Sequence, residues 1–189
     1  MTKIFPHTWA TGFLQTEMAK EFRITIASDL GRAFAERDVD YLFIGKGAAM
    51  VLGYPGTTQD VDVFAAKNPE NGRKIVAALR SLGFEIPEEV ETAIIEGRDF
   101  VQIKTGPFDV DIVFAPDGIE SFEKAKARRI DYEGMRIASL DDILASKRAA
   151  ARPKDANDIP QLELFRIEYE RLHPRPLKSA WEIERQKPL

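Results

Sequence analysis

Two short segments of this chain alternate aspartate with bulky apolar residues, and this pattern constrains the fold more than any other feature. The first is the DVDVF segment at 60–64, and the second is the FDVDIVF segment at 108–114. A β-strand places successive side chains on opposite faces of a sheet, so each segment fits a strand with one buried face and one polar face. Both segments are therefore predicted to be strands of a half-buried sheet.

The sequence around these segments predicts helices that pack against the sheet. Apolar residues recur at every fourth position from Met18 to Phe34, which predicts a long helix at 16–37. Residues 41–44 read as a short buried strand that runs into a glycine turn. Further helices are predicted at 48–52, 71–82, 87–96 and through 140–172, and further strands at 100–103 and, as an edge strand, at 135–137. The expected fold class is α+β, a mixed β-sheet flanked by helices, with more helices at the C-terminal end.

The length of 189 residues fits one domain better than two. We expect a single domain over 1–189, with a core at about 16–139, a helical part at about 140–172 and an irregular tail at 173–189. No apolar stretch approaches the ~18 residues that a membrane span requires, and the N-terminal residues lack the pattern of a signal peptide. A cytoplasmic protein with no membrane partner is expected.

The absence of cysteine narrows the chemistry that the chain can perform. Thiol catalysis, thiolate metal sites and disulfides are excluded, and the only two histidines, His7 and His173, cannot form a histidine-rich metal site. Any bound metal must be held mainly by oxygen.

The aspartates of the two alternating segments supply such oxygen ligands. Asp60 and Asp62 project from the same face of their strand, about 7 Å apart, and Asp109 and Asp111 repeat this arrangement on the second strand. Two or three carboxylates around one point suit Mg²⁺, which prefers oxygen ligands and keeps positions for water or phosphate. The alternative is that each pair is only the solvent-exposed face of an antiparallel sheet.

The glycine turn Gly45-Lys46-Gly47 lies between the first strand and a predicted helix. Backbone amides at such a helix start can cradle the phosphates of a nucleotide, and Lys46 could add a positive charge. The alternative for Lys46 is an exposed lysine in a loop.

Two groups of basic residues are candidates for a nucleic-acid-binding face, although the net charge of the chain is -4. The first group consists of Lys124, Lys126, Arg128 and Arg129. The second group consists of Lys147, Arg148, Arg152 and Lys154. Charge runs are usually solvated helix faces, which is what we expect of the first group.

Taken in order, these motifs resemble the signature of the DNA polymerase β-like nucleotidyltransferase superfamily. The matching segments are IGKGAA at 44–49, DVD at 60–62 and VDI at 110–112. Lys147 and the RPKDAND segment at 152–158 resemble the distal lysine and R-x-K-D-x-x-D motifs of the abortive-infection nucleotidyltransferase-like toxins and their relatives. The resemblance spans roughly 41–164, and four motifs in order are far more specific than any one of them.

The resemblance implies a nucleotidyltransferase fold and a set of site residues. In that superfamily the D-x-D pair binds magnesium, and a third carboxylate completes the metal site and helps to activate the attacking hydroxyl group. Metal-binding and catalytic roles would fall to Asp60, Asp62 and Asp111, with two Mg²⁺ ions and a nucleoside triphosphate (NTP) as substrate. Asp109 is the rival for the third position, but the hydrophobic run that follows Asp111 favours Asp111. The glycine turn at 45–47 would bind the triphosphate.

The distal motifs add further candidates. Lys147, Lys154 and Asp155 are expected to lie at the mouth of the metal site, where they would bind the triphosphate or orient the acceptor. Arg152 and Asp158 could join them. The alternative is that Arg152, Asp155 and Asp158 only form helix-start caps and salt bridges within one helix.

Two positions depart from the family pattern. Lys46 stands where a second glycine or a serine is usual, and Gly56 stands where an arginine is common before the threonines. A side chain at position 46 either crowds a phosphate or binds it, and the missing arginine removes a phosphate contact.

The expected function is transfer of a nucleoside monophosphate from an NTP to an RNA, such as tRNA, or to a protein. The chain would then be the toxin of a toxin–antitoxin pair, with an antitoxin protein as partner. The alternative, suggested by Lys46 and Gly56, is a catalytically silent module of the same fold that binds a nucleotide or a partner. Nucleotidyl transfer to a small molecule, as in antibiotic-modifying enzymes, is the third hypothesis.

Overall fold

The computed structural model describes residues 24–174, apart from the side chain of Lys154. The beginning of the predicted helix at 16–37 and the tail from residue 175 lie outside the described residues. The strands are β1 Tyr41–Ile44, β2 Asp60–Ala65, β3 Phe100–Ile103, β4 Asp109–Val113, β5 Ile130–Tyr132 and β6 Met135–Ile137. The helices are α1 Ile24–Ala35, α2 Gly45–Val51, α3 Pro69–Ser81, α4 Glu88–Glu96, α5 Phe122–Ala127, α6 Leu140–Ala150 and α7 Pro153–Leu172.

The strands form one mixed six-stranded sheet in the order β3-β4-β2-β1-β6-β5. Strand β2 runs parallel to β4 and antiparallel to β1, while β1 runs parallel to β6, and β3 and β5 pair antiparallel at the two edges. All four residues of β1 are buried because this strand lies in the middle of the sheet. The predicted class, an α+β fold with a mixed sheet and C-terminal helices, is confirmed.

Most of the helices pack in two groups, which contact each other through α1 and α2. Helix α3 packs against α1 and α4, and α6 packs against both α2 and α7. None of the helices within residues 24–174 combines the length and apolar character that crossing a bilayer requires.

Three local predictions were wrong or incomplete. Strand β6 is internal, because β5, which the pattern did not predict, pairs along its outer side. Helix α2 begins at Gly45, directly after β1, so the expected glycine turn is the first turn of the helix. Helix α5 was also missed, because it spans six residues and only Ala125 is fully buried, which is too short a pattern for helical periodicity.

The first basic group is more than a solvated helix face. Lys126 contacts Asp40 at 2.5 Å, and Arg129 contacts Asp131 at 2.8 Å. The Nε atom of Arg128 lies 2.9 and 3.0 Å from the two carboxylate oxygens of Asp142, whose side chain is buried at the start of α6. Ion pairs therefore tie Lys126 and Arg128 to other elements of the fold, whereas Arg129 pairs with a residue near it in the chain at the surface.

A buried asparagine joins the ends of β1 and β2 to α3. The Oδ1 atom of Asn71 accepts a hydrogen bond from the Asp40 backbone amide at 2.8 Å. Its Nδ2 atom donates to the backbone carbonyls of Asp40 and Ala66, both at 3.0 Å. The Asn71 side chain thus provides hydrogen-bond partners for backbone groups of Asp40 and Ala66, which lie just outside the paired residues of β1 and β2.

We expect Asn71→Ala to destabilise the fold by about 2–3 kcal/mol, because it leaves a buried amide and carbonyls with fewer partners. Urea denaturation followed by circular dichroism measures this change. The matched control is Asn157→Ala, at an exposed position of α7, which should change the free energy of unfolding by less than about 0.5 kcal/mol. Equal effects of the two variants would contradict the structural role of Asn71.

Candidate active site

A cavity of about 710 Å³ lies over the polar face of the β2–β4 pair. Helix α2 contributes Gly45 and Lys46 to its lining, α6 contributes Ser146 and Lys147, and α7 contributes further polar residues. The cavity therefore lies where the central strands face the group of helices formed by α2, α6 and α7.

Three carboxylates meet in this cavity. One carboxylate oxygen from each of Asp60, Asp62 and Asp111 lies within 4.8 Å of the other two. The parallel register of β2 and β4 produces this arrangement, because it sets Asp62 opposite Asp111. Asp109 lies opposite Asp60 in the same register, but it belongs neither to this cluster nor to the cavity lining.

Two polar side chains hold the carboxylates in place. Thr58 donates a hydrogen bond from Oγ1 to Oδ1 of Asp60 at 2.7 Å, and Gln102 donates from Nε2 to Oδ1 of Asp111 at 3.0 Å. Neither residue was predicted from the sequence. A signal for Gln102 exists in the alternation of β3, where it stands between the buried Val101 and Ile103.

The electrostatics of Asp111 differ from those of an exposed aspartate. Burial raises the pKa of Asp111, the hydrogen bond from Gln102 opposes this change, and the nearby charge of Asp60 adds to it. A carboxylate in this environment gains from a cation that neutralises it.

Gly45 is required by its contact with the carboxylate cluster. It has a φ of +75°, and a Cβ atom added to it would lie 2.1 Å from Oδ2 of Asp62. Any side chain at this position would collide with Asp62, so only glycine permits this close approach of α2 to β2.

We expect Gly45→Ala to displace Asp62 and to weaken Mn²⁺ or Mg²⁺ binding by about tenfold or more. The positive φ should also lower the free energy of unfolding of this variant by about 1–2 kcal/mol. Metal titration by calorimetry and urea denaturation measure the two effects. Gly134→Ala is the matched control, since Gly134 has a φ of +80° and no atom within 4 Å of the added Cβ. It should lose stability but keep metal binding, and loss of metal binding in both variants would contradict the steric argument.

The opposite wall of the cavity contains a chain of alternating charges. Nζ of Lys147 lies 2.5 Å from Oδ1 of Asp155 and 3.2 Å from Oδ2 of Asp158. Nζ of Lys46 lies 2.7 Å from Oδ1 of Asp158, and Nε of Arg152 lies 2.7 Å from Oδ2 of Asp155. Lys147 is 6% exposed and Asp155 is 1% exposed, so the centre of this network is buried.

The network shows how the distal motif residues are arranged. Lys147, Arg152, Asp155 and Asp158 all line the cavity with Lys46. The contact between Arg152 and Asp155 is also an i,i+3 salt bridge at a helix start, so this part of the alternative prediction is present too. The side chain of Lys154 lies outside the described residues.

Gly47 is placed differently from the other candidate nucleotide-binding residues. It is buried within α2 and does not line the cavity. It borders a small space in the interior together with Phe43 and Val61.

The ion pairs shift the ionisation of the two aspartates. Burial alone would raise the pKa of Asp155, but hydrogen bonds from Lys147 and Arg152 outweigh burial and lower it. In the same way, burial opposes ionisation of Asp158, while hydrogen bonds from Lys46 and Lys147 lower its pKa. Both aspartates are therefore ionised at neutral pH.

Lys46 and Gly56, the two positions that differ from the pattern of the resembled superfamily, lie next to each other in the structure. A Cβ atom added to Gly56 would lie 3.6 Å from Cδ of Lys46. The side chain of Lys46 passes this glycine and reaches Asp158, so it contributes a positive charge to the cavity wall.

The cavity lining carries more negative than positive charge. Among the described residues, it includes seven aspartates and three cationic side chains, those of Lys46, Lys147 and Arg152. Phosphate groups would be repelled by the carboxylate cluster unless a divalent cation neutralised it. The donor set of three carboxylates fits Mg²⁺, which prefers oxygen ligands.

The fold is similar to those of solved structures. The crystal structure of ANT(2")-Ia in complex with adenylyl-2"-tobramycin matches with a TM-score of 0.52 and 15% identity, over 79% of this chain and 98% of that chain. The solution structure of the same antibiotic-resistance factor matches with a TM-score of 0.52 and 15% identity, over 86% of this chain and 96% of that chain. JHP933 from Helicobacter pylori matches with a TM-score of 0.46 and 17% identity, over 77% of this chain and 68% of that chain.

The likeness to ANT(2")-Ia shows the nucleotidyltransferase fold. No protein-family model matches the chain, and no curated protein matches its sequence.

Proposed function

We propose that this protein is a metal-dependent nucleotidyltransferase that moves a nucleoside monophosphate from an NTP to an acceptor hydroxyl group. The observation that carries this proposal is the cluster of Asp60, Asp62 and Asp111 in a cavity whose opposite wall holds Lys46 and Lys147. A carboxylate cluster beside a cationic wall suits a substrate that combines a metal ion with a polyphosphate.

Different residues of the cavity would have different roles in this reaction. Asp60, Asp62 and Asp111 would hold Mg²⁺, one ion or two. Magnesium, when bound, supplies charge neutralisation to the attacking and leaving oxygens. Lys46 and Lys147 would hold the β- and γ-phosphates, exchanging a contact with Asp158 for one with phosphate oxygen.

The transfer is an in-line substitution at the α-phosphorus. The acceptor oxygen forms a bond to this phosphorus, the bond to the bridging oxygen of the β-phosphate breaks, and pyrophosphate leaves. Asp111 would take the proton of the acceptor hydroxyl, which is the role that the family resemblance implies for the third carboxylate. The fixed positions of Asp60 and Asp111, held by Thr58 and Gln102, reduce the reorganisation that the reaction needs.

The resemblance of Lys147 and the segment at 152–158 to the distal motifs of the toxin group still predicts an RNA or a protein as the acceptor. The toxin role, the antitoxin partner and the cytoplasmic location also stay predictions. A small-molecule acceptor is a second candidate, because the fold resembles ANT(2")-Ia, whose structure contains adenylyl-2"-tobramycin.

The decisive experiment incubates the purified protein with Mg²⁺ and each NTP labelled at the α-phosphate. The acceptors offered are tRNA, cell-extract protein and a panel of aminoglycosides, with Asp62→Asn as the inactive control. Label transferred by the wild type but not by the control supports the proposal and identifies the acceptor class. NTP binding by calorimetry without transfer to any acceptor would support the catalytically silent module instead.

A further inference from the structure

Phe100 is an exposed aromatic residue in an unusual position. It begins β3 at the edge of the sheet and is 56% exposed. It is also the one aromatic side chain that the described part of the chain contributes to the cavity lining. The exposed ring presents an apolar surface to the water in the cavity. A ligand that covered this surface would gain binding free energy from its removal from water.

The alternation of β3 places Phe100 on the same face as the carboxylate cluster. Exposed and buried residues alternate along this strand, so Phe100 and Gln102 project to the same side. Gln102 donates its hydrogen bond to Asp111, and Phe100 lies two residues before Gln102 on the strand, about 7 Å away. Phe100 therefore lies on the same face of the sheet as the carboxylates, two residues along β3 from the residue that contacts Asp111.

The cationic residues lie on other elements. Lys46 is on α2, Lys147 is on α6, and Arg152 precedes α7, whereas Phe100 lies opposite Val113 on the β3–β4 edge of the sheet. The cavity thus has a cationic wall, where these three residues pair with Asp155 and Asp158, and a carboxylate cluster. It also has an apolar wall, formed by Phe100 with Val113 and Pro116 and bordered by Asp99 and Asp117.

An NTP is a linear arrangement of base, ribose and three phosphates. With the β- and γ-phosphates at the cationic wall and the α-phosphate at the carboxylates, the nucleoside must extend away from the lysines. The apolar wall is the part of the cavity lining that suits a base, because every nucleobase offers an aromatic face for stacking.

We infer that Phe100 is the stacking platform for the nucleobase of the NTP. This inference rests on the proposed function, since it requires that the cavity bind an NTP. Stacking by one side chain gives affinity for the nucleoside and little discrimination among bases, because every base has such a face.

The test compares the binding of ATP, UTP and inorganic tripolyphosphate in the presence of Mg²⁺ by calorimetry. Phe100→Ala should weaken the binding of both nucleotides by about five- to one-hundredfold and leave tripolyphosphate binding unchanged. Phe100→Tyr, which keeps an aromatic face, should bind both nucleotides like the wild type.

Tyr132→Ala is the matched control, because Tyr132 is a 39% exposed aromatic residue on β5, at the opposite edge of the sheet. The two edges are about 24 Å apart at ordinary strand spacing, so this variant should bind all three ligands normally. ATP affinity in Phe100→Ala equal to that of the wild type would overturn the inference. An equal loss of tripolyphosphate and ATP binding would overturn it as well, because the residue would then act on the structure of the whole site.

The same measurements separate this inference from the proposed function. A wild-type protein that binds no NTP would refute both. A wild-type protein that binds NTPs, with a Phe100→Ala variant that binds them equally well, would leave the proposed function standing and overturn only the role of Phe100.

Discussion

Asp62→Asn is expected to abolish nucleotidyl transfer and to weaken Mg²⁺ binding by more than about 100-fold. The substitution keeps the shape of the side chain but removes one of three charges from the cluster. Loss of an outer-shell partner typically costs about 10–100-fold in metal affinity or activity, and loss of a direct ligand should cost more. Calorimetric titration with Mg²⁺ and the labelled-nucleotide assay measure the two effects.

Asp109→Asn is the matched control for this variant. It makes the same chemical change on the neighbouring strand, yet Asp109 belongs neither to the cluster nor to the cavity lining. We expect Asp109→Asn to bind Mg²⁺ nearly as well as the wild type. Asp62→Asn should also keep its stability, because the cluster holds like charges that repel one another. Equal losses of Mg²⁺ binding in the two variants would show that the cluster is not the metal site.

Lys147→Met is expected to cost about 3 kcal/mol of folding free energy. The variant keeps the apolar stem of the lysine but removes the ammonium group that contacts Asp155 and Asp158. Breaking a buried ion pair by removing one partner typically costs about 3–5 kcal/mol, because the other charge stays buried. Arg152 and Lys46 each keep one contact with these aspartates, so the lower end of that range is expected.

The matched control is Arg148→Met on the next residue of α6. Arg148 pairs with Glu163 at the surface, with 53% of its side chain exposed, and an exposed pair contributes about 1 kcal/mol or less. Urea denaturation of the two variants therefore separates the buried network from ordinary surface pairing. A loss below about 1 kcal/mol for Lys147→Met would contradict the assignment of the network as a buried stabilising element.

The difference between Lys147→Met and the wild type should also depend on pH. Asp155 and Asp158 have lowered pKa values in the folded protein. Their ion pairs therefore contribute stability above the unfolded-state pKa of about 3.9, and this stability is lost as the pH falls through the lower folded-state values. The gap between the two proteins should narrow below about pH 4, and a gap that stayed constant would contradict this linkage.

Much of the fold could be predicted because its signals are local. The apolar run at 41–44 predicted β1 with its observed ends. The strand predicted at 60–64 and the helix predicted at 71–82 are present with ends shifted by one or two residues. Helix α5 and strand β5 were missed because they are short and mostly exposed, so neither carries a repeating apolar pattern.

In the site too, only those features that depend on residues close together in the sequence could be predicted. The alternation in residues 60–64 placed Asp60 and Asp62 on one face of a strand. From the residues alone, Asp109 and Asp111 were equal candidates for a third carboxylate. Their environments differ because Asp111 is buried beside Gln102, and this neighbour comes from a strand that pairs antiparallel with β4.

By itself, the sequence determined which residues alternate between a buried and a polar face, because a strand has a period of two whatever it pairs with. It therefore placed Asp60 and Asp62 side by side and restricted any metal site to oxygen ligands. Only the tertiary structure decided which carboxylates meet and which charges they face. The parallel register of β2 and β4 brings Asp111 to Asp62, and the packing of α2, α6 and α7 joins Lys46 and Lys147 through Asp158. Register and helix packing depend on contacts between distant residues, which no local pattern specifies.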